Sequence, residues 1–341
     1  MSVIHTENPR RRAYPQNVTF NDLIRANKRK SAMLMVGMSL LLVLLGAVFG
    51  GLLGAWGADM EMLMPSIILG AVAATVVAII ASAWSYYGGS NAILRMSHAK
   101  EIQKKDDPQL FNVVEELAIA AGTPMPKIYL IHERALNAFA TGRDPEHGVV
   151  AITTGLRQAL DRDELAGVMA HEISHIRHYD IRFNMLMATM VGLIVFASDA
   201  FMRMMFYGGM RRGMGGGRSG GGGGKGGNPL IIVLFVIALL LAILAPILAM
   251  VIRFAISRQR EYLADAGAVE LTRYPQGMIG ALEKLGARGK PLRSANRATQ
   301  HMFIVNPMKD AVQGEGHNLS STLRTHPPLK DRIARLRALI E

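Results

Sequence analysis

Four long apolar stretches constrain this chain more than any other feature. They lie at about residues 32–56, 62–87, 184–207 and 229–252. Each is at least as long as the roughly 20 residues an α-helix needs to cross the hydrocarbon of a bilayer. Within lipid the backbone must satisfy its own hydrogen bonds, which leaves helices as the economical solution for isolated apolar runs. The expectation is a mostly helical protein with about four transmembrane or membrane-associated helices. Composition agrees, since 50% of the 341 residues are hydrophobic. The formal net charge of +12 is then read as a lipid-facing bias, with a bilayer as partner and no nucleic acid.

Charge placement gives a topology. Before the first span lie Arg10, Arg11, Arg12, Arg25, Lys28, Arg29 and Lys30, and after the second lie Arg95, Lys100, Lys104 and Lys105. The connection between those spans carries Asp59 and Glu61 and no basic residue. The excess of positive charge on cytoplasmic flanks puts both ends of this hairpin in the cytoplasm. Trp56, Trp84, Tyr86 and Tyr87 suit the membrane interface. The start of the chain lacks a small-residue cleavage site and does not read as a removed signal peptide.

The second pair of spans is less regular. Its connection, residues 208–227, is rich in glycine and reads as a flexible linker. It also holds Arg211, Arg212, Arg218 and Lys225, and span three contains Asp199. A full crossing would put those cations outside, against the charge rule. A partly inserted hairpin, or one that packs its polar face on the protein, is the alternative.

The resulting organisation is a basic tail (1–31), a transmembrane hairpin (32–88), a first soluble part (89–183), a second hydrophobic hairpin (184–252) and a second soluble part (253–341). In the first soluble part, Asp107 and Pro108 mark a helix start. Leu110, Val113, Val114 and Leu117 give that helix its apolar face. Strands are expected near residues 127–131 and 147–154. Asp161 followed by Glu164 is a capping-box pattern for the next helix. A terminal helix carries Leu329, Ile333, Leu336 and Ile340 on one stripe.

The helix after Asp161 contains HEISH, residues 171–175. Two histidines four apart share a helix face, so His171 and His175 can reach one ion. Glu172 lies about 100° round the helix from His171, where it can address a water on that ion. The chain has no cysteine, so a third ligand must be histidine or carboxylate. An even number of crossings, or a shallow hairpin, returns the chain to the same side for Glu261, which opens EYLAD. Asp265, four residues further on, can support a ligating imidazole by a hydrogen bond. Asp163, Glu164, Asp180, Glu270 and His178 are the competing ligands, with His178 read as a surface or structural residue.

From about residue 90 onward the chain resembles the HtpX-type membrane proteases, relatives of the CAAX prenyl endopeptidases within the gluzincins. The resemblance runs in order through AAGTPMPKIYLI, ALNAFATGRDPEHGVVAITTGL, DELAGVMAHEISHIRHYDI, two hydrophobic segments, REYLADAGAV and THPPLKDRIARL. The two leading spans fit that layout, whereas the basic tail and the glycine-rich tract depart from it.

The resemblance implies a zincin-like α+β protease domain with a small β-sheet, and one zinc ion per chain held by His171, His175 and Glu261. It implies Glu172 as general base and acid, Asp265 as support, and His326 as a donor to the developing oxyanion. Asn137 would lie beside the substrate, with Ala138, Phe139 and Ala140 on an edge strand that pairs with it and Arg332 nearby. The implied enzyme is a multi-pass zinc metalloendopeptidase of the cell's inner membrane. Its substrates would be misfolded or damaged membrane proteins, cut on the cytoplasmic side. A non-catalytic zinc scaffold, a prenyl-protein processing peptidase and a metal transporter are the alternatives. A transporter would set its ligands within the spans, whereas here they flank them.

Overall fold

The structure is a computed structural model that describes residues 20–56, 60–213, 229–287 and 327–339. Helix α1 (Phe20–Trp56) and helix α2 (Leu63–Met96) are joined through a short 3-10 turn, Met60–Met62. Then follow β1 (Lys100–Glu101), α3 (Pro108–Ala121), β2 (Lys127–Ile131), β3 (Ala138–Thr141), a 3-10 turn at Pro145–His147, and β4 (Val149–Thr153). Helices α4 (Thr154–Ala159), α5 (Arg162–Arg177), α6 (Asp180–Gly213), α7 (Pro229–Thr272), α8 (Pro275–Ala287) and α9 (Leu329–Arg337) complete the chain. The fold is mostly helical with one small mixed sheet.

Among the described residues, four helical segments are long and apolar enough to cross a membrane: Ala32–Ala55, Leu63–Met96, Asp180–Met204 and Ile232–Val251. They build one of two compact units, formed by Ala32–Ser85 and Leu186–Ile252. The other contains Tyr86–Met185 and the described residues after Arg253. Helix α1 begins twelve residues before its apolar segment, so part of the basic tail is helical. A long helix already nucleated in its apolar part extends cheaply into polar sequence. Asp199 is exposed on α6.

Within the membrane-helix unit, α1 and α2 approach closely through small residues. A Cβ on Gly70 would collide with the backbone of Gly46 and lie 3.0 Å from the Cα of Gly50. Backbones this near are a usual solution where the hydrophobic effect cannot drive association. Gly70→Leu is therefore expected to force the helices apart at a cost of about 1–3 kcal/mol. Thermal unfolding in detergent should show the loss, while Gly37→Ala, whose added carbon meets nothing within 4 Å, should not lower the midpoint.

The sheet order is β1-β2-β4-β3, with β2 and β4 parallel and the outer pairs antiparallel. Helices α3, α5 and α8 supply the core against it, through Leu110, Val114, Val168, Ile173, Met278 and Leu282 among others. Asp107 caps α3, accepting the Leu110 N–H at 3.0 Å, and Gly122 ends the helix at φ +63°. Asp161 and Glu164 form a reciprocal capping box at the start of α5. These caps fix where α5 begins, and hence which of its faces meets the sheet.

Candidate metal centre

Helix α5 runs buried from Glu164 to Ile176 apart from Ala166, and its HEISH residues are all buried. His171 and His175 stand with ring centroids 4.8 Å apart and planes 86° to each other. Glu261 arrives on α7, the same continuous helix that contains the fourth apolar segment. Its Oε2 lies 3.7 Å from His171 Nε2 and its Oε1 lies 3.5 Å from His175 Nε2. One donor atom from each of the three residues lies within 4.8 Å of the others, so the cluster could hold a metal ion. Tetrahedral zinc, with bonds of about 2.0–2.1 Å, sets neighbouring ligand atoms about 3.3–3.4 Å apart. The two carboxylate–imidazole separations are close to that, and the residue types suit zinc.

Both imidazoles are oriented from behind. His171 Nδ1 is 3.0 Å from Asp265 Oδ1, and His175 Nδ1 is 3.1 Å from Asp180 Oδ2. A carboxylate on Nδ1 fixes the tautomer that turns the Nε2 lone pair toward Glu261. Asp265 is itself gripped by a two-pronged bond from Arg332, with Nε at 2.8 Å and Nη2 at 2.6 Å. Arg332 Nη1 also lies 3.4 Å from Glu261 Oε2. Arg332 projects from α9 and is 0% exposed.

The electrostatics follow from burial and this mixture of charges. Burial and the Arg332 charge hold His171 below the usual imidazole range, against the pull of Asp265. Burial would lower His175 too, but the carboxylates of Asp180 and Glu261 override it and lift it to about 10. Groups that favour a proton on His175 also favour a divalent cation there, and binding at such donors releases protons. Burial would raise Asp265, yet Arg332 and His171 keep it below the ordinary carboxylate range. Glu172 is pushed up to about 7, by burial and by the neighbouring Glu261.

Strand β3 is the sheet edge next to α5. The Thr153 N–H donates to the Asn137 carbonyl at 3.0 Å. With the register Ala138↔Ile152 and Ala140↔Val150, this places Asn137 and Phe139 in hydrogen-bonded pairs. Antiparallel alternation then turns the backbone groups of Ala138 and Ala140 toward the open edge. There the Ala138 N–H donates to Asn137 Oδ1 at 3.1 Å. The Ala140 N–H donates to the Glu172 carboxylate. The edge strand and the HEISH glutamate are thus directly bonded.

The remaining sequence candidates fall as follows. Glu164 serves the cap and pairs with Lys284, and Glu270 pairs with Arg177 at 3.3 Å near the surface. His178 is buried beside Gly267, and burial pushes it down to about 4. His326 lies outside the described residues. Sequence reasoning weighed Asp180 only as a rival ligand and missed its bond to His175. It gave Arg260 no role, although this arginine is buried beside Asp180. The available signal was position alone, with Asp180 five residues past His175 at the start of α6 and Arg260 one residue before Glu261.

Arg332→Leu should leave the Asp265 charge buried without its guanidinium. Breaking a buried pair in this way costs about 3–5 kcal/mol. The unfolding midpoint in detergent should fall and the protein should lose metal on dialysis. Arg332→Lys should rescue only partly, because an ammonium cannot reproduce the fork.

Two buried imidazoles and a carboxylate that could hold a metal ion stand beside a second glutamate bonded to an adjoining strand edge, in a chain with four membrane-length helices among its described residues. Sequence comparison names the family. The model for peptidase family M48 matches residues 104–340. A protease HtpX homolog from Dictyoglomus thermophilum is 42% identical over 325 residues, covering 95% of this chain and 96% of the relative. Another, from Listeria monocytogenes serotype 4b, is 41% identical over 314 residues, covering 92% of this chain and 97% of the relative. Among solved structures, the crystal structure of S. mikatae Ste24p aligns with 92% of this chain and 66% of its own, at 22% identity and a TM-score of 0.45. The chain belongs to peptidase family M48. It is a multi-pass membrane metalloprotease.

Proposed function

We propose that the protein is a zinc-dependent endopeptidase that cuts misfolded or damaged membrane proteins on the cytoplasmic side of the cell's inner membrane. The carrying observation is the convergence of His171, His175 and Glu261 beside a glutamate bonded to the sheet edge. Peptidases of this family depend on zinc in general. His171, His175 and Glu261 would hold the ion, which when bound polarises a scissile carbonyl and acidifies water.

The chain's own groups perform the rest. Glu172 takes a proton from the attacking water and later gives it to the departing amine. A carboxylate poised near neutrality suits both transfers. The Ala140 N–H fixes where that carboxylate sits. An extended substrate added along β3 would meet the outward carbonyls of Ala138 and Ala140, whose N–H groups already donate to Asn137 and Glu172. Pairing through main-chain groups demands little sequence, as quality control of many polypeptides requires. Asp265 and Asp180 keep the two imidazoles aimed, and Arg332 keeps Asp265 ionised. His326, one residue before the described segment 327–339, is the proposed donor to the oxyanion. The acidic connection between the first two spans and the basic flanks support a cytoplasmic catalytic unit.

The test uses the purified protein in liposomes with an unfolded, membrane-anchored polypeptide whose loop faces the catalytic side. Internal cleavage that stops with a zinc chelator and returns with zinc is the expected result. Cleavage confined to a prenylated C-terminal peptide, or indifferent to the chelator, would contradict the proposal.

A further inference from the structure

The HEISH helix does not hold its own second histidine in place. We infer that Arg260 is a positioning residue which, acting through Asp180, aims the His175 imidazole as Arg332 and Asp265 aim His171. The inference rests on the zinc reading above.

Asp180 divides its two oxygens. Oδ2 meets His175 Nδ1 at 3.1 Å, and Oδ1 lies 3.9 Å from Arg260 Nε. Both side chains are at least nine-tenths buried, with Asp180 4% and Arg260 3% exposed. A buried carboxylate facing only an imidazole would be poorly compensated, and leaving it so is costly. Arg260 supplies the missing positive charge.

The guanidinium is itself placed by the first turn of α6. It donates through Nη2 to Asn184 Oδ1, and its central carbon stands 4.1 Å from the centre of the Phe183 ring. Its Nε and Nη1 have no hydrogen-bond partner among the described residues. Arg260 therefore meets Asp180 as a nearby charge and not as a fork, unlike Arg332 on Asp265.

The sequence position gives this arrangement its consequence. Arg260, Glu261 and Asp265 lie within six residues of α7. Glu261 offers the carboxylate donor, Asp265 grips His171, and Arg260 reaches His175 through Asp180. One short stretch of α7 thus sets all three donor side chains at once. A carboxylate behind a ligating imidazole typically changes metal affinity about 10- to 100-fold when removed, and Arg260 is argued to act through that carboxylate.

The test measures zinc affinity of the full-length protein in detergent by competition with a chromophoric chelator. The wild type should bind one zinc. Arg260→Gln should weaken binding about 10- to 100-fold, and Asp180→Asn should do the same. Because one acts through the other, the double variant should be no weaker than the more severe single one. Arg260→Lys, which keeps the charge, should stay within about fivefold of wild type by the same argument. With cobalt in place of zinc, the visible spectrum of fully loaded Arg260→Gln should shift, which loss of fold stability alone would not cause.

Wild-type affinity with an unshifted spectrum in Arg260→Gln overturns the inference, as do two losses that add in full. Should Arg260→Gln fail to fold, Arg260→Lys decides, and a loss as large as that of Asp180→Asn overturns it. A wild type that binds no zinc overturns the zinc reading itself, and this inference with it.

Discussion

Glu172→Gln is expected to keep its zinc and lose its peptidase activity, by about 10²–10⁴-fold in kcat. Glutamine preserves the length of the side chain, and its carbonyl can still accept the Ala140 N–H that holds Glu172 at the strand edge. It cannot accept a proton at the working pH. None of the three clustered donors is altered, so metal content should match the wild type. Metal analysis beside a cleavage assay on an unfolded polypeptide checks both halves. Normal cleavage by this variant would remove Glu172 from the chemistry, whatever its position.

Glu261→Ala should have the opposite signature, with metal and activity lost together. It deletes one of three donors, and it leaves Arg332 Nη1 without the carboxylate that lies 3.4 Å from it. Excess positive charge then replaces a negative ligand where a cation must bind. Glu270→Ala, nine residues further along α7, is the comparison. Its carboxylate is exposed and pairs with Arg177 at 3.3 Å, an interaction worth about 0–1 kcal/mol. After dialysis, Glu270→Ala should retain zinc and Glu261→Ala should not. Equal retention would take Glu261 out of the site.

The parts of this protein legible in sequence are those governed by local periodicity. Apolar runs longer than a bilayer is thick show as helices without knowledge of their neighbours. His171 and His175 share a face because the helix repeat puts them there. Asp107 and Asp161 start helices for reasons contained within three residues. Glu261 was reachable only by combining the absence of cysteine, the sidedness of two spans and the ordered resemblance.

Asp180 shows why the remainder stayed hidden. Along an unbroken helix, a residue five past His175 would point about 140° away from it. The chain instead breaks between α5 and α6, with Tyr179 in the left-handed region at φ +63°. That turn brings Asp180 back to His175 Nδ1. A tyrosine is an unusual occupant of this conformation, and nothing in the local sequence announces it. Lys28 and Arg182 stand over its ring at 4.6 and 5.1 Å from the centroid. The resemblance put Arg332 beside the substrate, but its bond to Asp265 was hidden differently. Its partner Asp265 lies 67 residues earlier, and a charged side chain on a short terminal helix reads as exposed until the tertiary fold buries it.

Zinc-edge X-ray absorption on detergent-purified Glu172→Gln tests the account most directly, because that variant holds its metal without turning over. The account predicts one zinc per chain, bound by two imidazoles and by oxygen, at about 2.0–2.1 Å. When Glu261 is also replaced, the zinc itself should be lost. A protein that binds no zinc, or a shell with a single imidazole, would contradict it.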